Sequence, residues 1–228
     1  MSKTTKEWVQ LYLDEVGAKY DKNIKVRPKS EAKLLKVVRP FVELFNKRFW
    51  DGYITTIGKT IWVPDGWLEN GDLKSRLQTI AHECIHVKQS KKYTTVFFSF
   101  LYLFPQSLAL FSLLSFLAIG FGLNWLWCLL FLLCLAPLPA PFRYMFELEA
   151  YRVKLLFFKH AWTATPSMKQ WAKEGIIRNL AKSDYYFTWP FPKMIQRDLD
   201  KEDKLNNEQY KEILTFLEDN DLAVGTDS

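Results

Sequence analysis

The stretch Thr79–Gln89, TIAHECIHVKQ, carries two of the chain's three histidines, four residues apart, with a glutamate beside the first. Residues i and i+4 of a helix stand one above the other on the same face. The pattern therefore needs a helix, and the flanking sequence supplies one. Asp72 is placed to cap a helix running from Leu73 to about Lys91, and Leu77, Ile80, Cys84 and Val87 form an apolar stripe at spacings of three and four. His82 and His86 lie off that stripe, on a neighbouring face.

H-E-x-x-H on a helix is a metal signal with a mechanism. Two imidazoles one turn apart can bind one zinc ion, and the intervening glutamate can act on the bound water. The candidate ligands are His82 and His86, and the candidate base is Glu83. A catalytic zinc takes a third protein ligand and keeps a position open for water. The remaining histidine, His160, reads as an interfacial residue, so the third ligand is sought in FELEAYR, residues 146–152. Glu147 shares a helical face with Ala150, whose small side chain permits close approach of the histidine helix. Glu149 has Arg152 three residues on, the spacing of a solvated salt bridge. Glu147 is the expected ligand.

Upstream, residues 5–18 and about 30–48 read as helices, the second capped at Ser30 and interrupted by Pro40. Two β-rich runs, Tyr53–Ile57 and Thr60–Val63, flank Gly58-Lys59 as a tight hairpin, with Pro64 confining the second run to a sheet edge. Downstream, a helix containing Glu147 follows Arg143, another begins at Pro166, and short amphipathic helices end near Asp219. The last residues read as a disordered tail.

Residues 93–142 contain no Asp, Glu, Lys, Arg or His. Val96 to Ile119 is long enough for a bilayer span, and Leu123 to about Pro137 suits a shorter return, so a transmembrane hairpin is expected. Lys88, Lys91, Lys92, Arg143, Arg152 and Lys154 flank its two ends, which predicts an integral membrane protein with both termini and the zinc site cytosolic. The expected organisation is an N-terminal half over 1–92, the hairpin over 93–142, a C-terminal half over 143–219 and a tail over 220–228.

Composition removes several classes. The net charge of +6 is spread without an arginine-rich run, which argues against nucleic-acid binding. Cys84, Cys128 and Cys134 are an odd set with no C-x-x-C spacing, so neither a disulfide framework nor a thiolate cage is suggested, as befits a reducing compartment. The first residues lack the apolar core of a secretory signal.

H-E-x-x-H followed by E-x-x-A, here His82–His86 and Glu147–Ala150, resembles the gluzincin metallopeptidases. The long interval between the motifs is similar to the membrane-embedded branch, which includes the CAAX prenyl endopeptidases and the heat-shock membrane proteases. GKTIWVPDGW, residues 58–67, is similar to the edge strand of the small soluble minigluzincins. The likeness covers roughly residues 30–160, and Tyr151 stands where the family often has aspartate. It implies an α+β zincin-like core, mainly helical with a small hairpin or sheet, and the transmembrane pair inserted between the zinc-binding helices. The implied activity is that of a membrane-anchored zinc endopeptidase acting on peptide or protein substrates, with Glu83 as general base. Tyr144, Tyr151, Tyr185, Tyr186 and Arg143 are candidate donors to the developing oxyanion. Two other readings keep part of this pattern. One is a membrane-anchored zinc-binding scaffold or inhibitor without activity; the other is a pore-forming or membrane-remodelling hairpin.

Overall fold

The computed structural model describes residues 3–43, 47–105, 107–108, 112, 119–122, 126, 132, 138–162, 164–181, 188–201 and 210–223. Its axis is the helix that carries the two histidines, α5 (Leu73–Tyr93), reached through α1 to α4 and the sheet described below. The Asp72 carboxylate accepts from the Ser75 amide at 2.8 Å and closes the first turn. Leu77, Ile80, Cys84 and Val87 are fully buried, as the apolar stripe requires, and so are Ala81 and Ile85. More than one face of α5 is thus covered, and the histidine face lies inside the protein rather than on its surface.

Ahead of α5, α1 (Thr5–Tyr12) continues through one widened turn, Leu13–Gly17, into α2 (Ala18–Tyr20). Strand β1 (Lys25–Pro28) leads through a short 3₁₀ turn, Lys29–Glu31, into α3 (Lys33–Glu43), and α4 (Phe49–Gly52) precedes β2 (Thr55–Ile57) and β3 (Thr60–Val63). The hairpin between β2 and β3 forms as expected, with Gly58 at φ +59° supplying the left-handed turn residue. The sheet order is β1-β3-β2, β3 running parallel to β1 and antiparallel to β2. Strand β3 is therefore central and not an edge. Pro64 falls just after Val63, outside the ladder, and so does not exclude pairing on both sides of β3. The sequence reading missed β1, whose partner is distant in sequence and whose four residues, KVRP, carry little apolar signal. Ser30 does not cap α3; its hydroxyl donates to Asp65 at 2.6 Å.

Behind α5 lies α7 (Pro141–Ala161), followed by α8 (Pro166–Ala181), α9 (Pro192–Asp200) and α10 (Lys211–Asp219). Ala150, Val153, Phe157 and Ala161 of α7 join α1, β3, α5 and α10 in one apolar cluster. Tyr144, Leu148 and Tyr151 face a second cluster with Ile176 and Leu180 of α8 and Ile195 and Leu199 of α9. Each fully buried Leu, Ile or Phe contributes about 1.5–3 kcal/mol, so these two clusters hold α7 from both sides.

The transmembrane hairpin is corrected here. No helix among the described residues is long and apolar enough to cross a membrane. The expected first span instead begins with α6 (Thr95–Leu103), nine residues that at 1.5 Å each extend about 14 Å, half of a hydrocarbon core of roughly 30 Å. The helix stops because Phe104 precedes Pro105, and a residue before proline is driven out of helical geometry; Phe104 has φ −79° and ψ 134°. Hydropathy alone reads through that proline. The inward side of α6, with Phe98 buried, packs on α5 and α7. Most of the expected second span, Cys128 and Cys134 included, and residues 224–228 of the expected tail lie outside the described residues. The integral-membrane placement and the orientation assigned to both termini lose their support together.

One buried group gives the fold a pH signature. Lys29 is 0% exposed; its ammonium donates to the Phe49 carbonyl at 2.5 Å and lies over the Phe49 ring. Burial outweighs the attraction of Asp51 and Glu83 and pushes its pKa down to about 8. Because the folded pKa is below the unfolded one, the cost of burying this charge is present in full below pH 8. It fades as pH rises toward the ordinary lysine value of about 10.4. The denaturant stability of wild type should therefore gain on that of Lys29→Met between pH 7.5 and 10. Parallel pH profiles of the two proteins would contradict this.

Candidate metal centre

Helices α5 and α7 cross with Ala150 fully buried, and this contact brings the Glu147 carboxylate beneath the two histidines. His82 Nε2 stands 3.6 Å from Glu147 Oε2, and His86 Nε2 stands 3.8 Å from Glu147 Oε1. The imidazole rings are 5.0 Å apart and nearly perpendicular, so both present a nitrogen to one point. All three side chains are buried. Together they form a group whose ligand atoms all lie within 4.8 Å of one another, and this group could hold a metal ion.

The distances have a meaning. They are too long for nitrogen–oxygen hydrogen bonds, which end near 3.2 Å. Ligands about 2.0–2.2 Å from a tetrahedral ion stand roughly 3.3–3.6 Å apart, close to the spacing here. Glu147 is only 2% exposed, and its Oε2 has no hydrogen-bond partner among the described residues. A buried carboxylate oxygen without a donor is costly, and a cation at this point would remove the cost. Burial by itself would raise the Glu147 carboxyl, but His82, His86 and Arg143 outweigh it and hold it well below the usual carboxylate range. The carboxylate is thus ready as an anion.

No family model, curated protein or solved structure matches this chain. The site must be read from its own geometry.

Glu149 lies apart from the cluster. It pairs with Lys88 at 2.9 Å. The two glutamates are two residues apart and so turned about 200° from each other on α7. His160 is thirteen residues beyond Glu147, with Nε2 buried and without a hydrogen-bond partner among the described residues; burial and then Lys159 lower its pKa. It takes no part in the group.

Glu83 is also buried, and the Thr56 hydroxyl of β2 donates to its Oε2 at 2.7 Å. The sheet thereby fixes the glutamate of the motif from one side while α7 closes the other. Lys154, two turns further along the same face of α7, is pushed down by burial while Glu83 and Glu147 pull the other way, so its ammonium belongs to the same electrostatic neighbourhood.

Of the expected oxyanion donors, Tyr144 donates to Asp198 at 2.9 Å on the α9 side, and Tyr151 lies edge-on against the His82 ring at 4.9 Å. Arg143 sits over the Tyr102 ring, and Tyr185 and Tyr186 lie outside the described residues. Tyr102 of α6 was not among the candidates, yet its hydroxyl donates to Glu147 Oε1 and its ring packs edge-on to His86 at 5.9 Å. Burial, then Glu147, raise its pKa well above the usual phenol range, so it stays a donor. One signal was present: Tyr102 is the only tyrosine between Tyr93 and Tyr144, in the middle of the uncharged run.

Metal titration separates the two glutamates. With Co2+ or Zn2+ against a chelator, Glu147→Gln should release its ion at far lower chelator concentration than Glu149→Gln. The latter keeps an oxygen to accept from Gln89 and loses only its ion pair with Lys88, of a kind worth under about 1 kcal/mol. If Glu149→Gln gives up its metal first, the cluster is not the binding site.

Proposed function

We propose that this chain is a zinc-dependent peptidase, with His82, His86 and Glu147 as the protein ligands and Glu83 as the general base. The observation that carries the reading is a buried set of two imidazole nitrogens and one carboxylate oxygen, with a second buried carboxylate on the same helical turn. Two nitrogens and one oxygen are the donors of catalytic zinc sites, which leave one position open. A structural zinc site has no use for Glu83. The likeness of the two motifs to gluzincins agrees with this reading.

Zinc held there would polarise the carbonyl and make water a nucleophile near neutral pH. Glu83 takes a proton from the attacking water as the carbon–oxygen bond forms. It then delivers that proton to the amide nitrogen as the carbon–nitrogen bond breaks. Thr56, donating to Oε2, keeps the Glu83 carboxylate from rotating away between the two transfers. Tyr102, donating to Glu147 Oε1, would leave Oε2 as the oxygen free to hold the metal. Since β3 is paired on both sides, an extended substrate would add to β2, the edge strand that carries Thr56.

Cleavage of an unbiased peptide library by zinc-loaded protein tests the reading. Glu83→Gln should keep its zinc and fold and lose cleavage by about 10²-fold or more. Cleavage at the wild-type rate would remove Glu83 from the mechanism. A wild-type protein that binds zinc but cleaves no peptide would leave a metal-binding scaffold instead.

A further inference from the structure

Three residues after His86, and on the same side of α5, Gln89 is buried to 3% exposure. A buried primary amide has two ends of opposite character, and here the surroundings decide which end points where. On one side are the Phe146 carbonyl, at 3.1 Å, and Glu149 Oε2, at 2.8 Å. A carbonyl and a carboxylate only accept hydrogen bonds, so the NH2 end of Gln89 must face them. The other end, Oε1, then meets His86 Nδ1 at 2.9 Å. An amide oxygen only accepts, so Nδ1 must carry the hydrogen. A neutral imidazole has one such hydrogen, which leaves Nε2 bare, with its lone pair toward Glu147.

We propose that Gln89, itself fixed by Glu149 and the Phe146 carbonyl, is the positioning residue that orients His86 and selects the tautomer able to bind metal through Nε2. The inference rests on the reading of His86 as a ligand, but the relay exists in the protein before any metal arrives. It runs from α5 to α7 and back: Lys88 holds Glu149, Glu149 and Phe146 hold Gln89, and Gln89 holds His86. Partners of this kind fix the ring and raise its basicity as a ligand. The arrangement is specific to one histidine. His82 Nδ1 is buried without a hydrogen-bond partner among the described residues, and that ring packs against Tyr151. Glu149, which is no ligand itself, thus acts two contacts behind one.

The test begins on metal-free protein. Long-range proton–nitrogen correlation spectra at pH 8 should show His86 with its hydrogen on Nδ1. Gln89→Leu should lose that signature and weaken zinc by about 10–100-fold in chelator competition. A wild-type His86 with its hydrogen on Nε2 would overturn the proposal whether or not the variants fold. So would a folded Gln89→Leu with unchanged tautomer and zinc affinity. If the wild-type protein has the Nδ1–H form, Gln89→Leu loses it and neither binds zinc, the orienting contact stands and the metal reading falls.

Discussion

The close crossing of α5 and α7 is the contact on which the rest depends. A carboxylate can be carried into the interior only if something there compensates its charge, and Glu147 reaches the two histidines because Ala150, one turn on, has only a methyl group to set between the helices. Two apolar clusters keep that crossing in place from opposite sides, one through Val153, Phe157 and Ala161, the other through Tyr144, Leu148 and Tyr151. The residues that position Glu147 are therefore ordinary core residues of the same helix. Its rotation about its own axis is set by packing, and that rotation puts Glu147 in the cluster and Glu149 on Lys88 and Gln89.

Such periodicity was legible in the sequence. The Asp72 cap, the buried stripe from Leu77 to Val87, the hairpin at Gly58-Lys59 and the opposed faces of Glu147 and Glu149 all follow from 3.6- and 2-residue repeats and turn chemistry. What was not legible depends on contacts distant in sequence. Strand β1 exists because β3 offers it a partner, and β3 is central for the same reason. Thr56 looks like any strand threonine until β2 is laid beside α5. The uncharged run misled because average hydropathy is blind to order: one proline, Pro105, ends a helix that composition alone would extend for two dozen residues. Nothing in the sequence sets Gln89 apart from any polar residue near a helix end, and the position of α7 gives it two of its three partners.

The turn that opens α6 shows how the same apolar run serves the site. Thr94, between α5 and α6, has φ +64° and ψ 148°, a backbone region that a β-branched residue occupies only under strain, typically about 1–3 kcal/mol. Its hydroxyl accepts from the Phe97 amide at 3.5 Å, a weak cap that recovers little of that cost. The return comes from what the turn permits. By reversing the chain at once, it lays Phe98 and Tyr102, one helical turn apart, across His86, with ring centroids 6.3 and 5.9 Å away. A relaxed residue at 94 would let α5 run on and carry both rings away from the cluster. The site's third wall, and the hydroxyl on Glu147 Oε1, exist because the chain turns there and because Pro105 ends α6 one turn later.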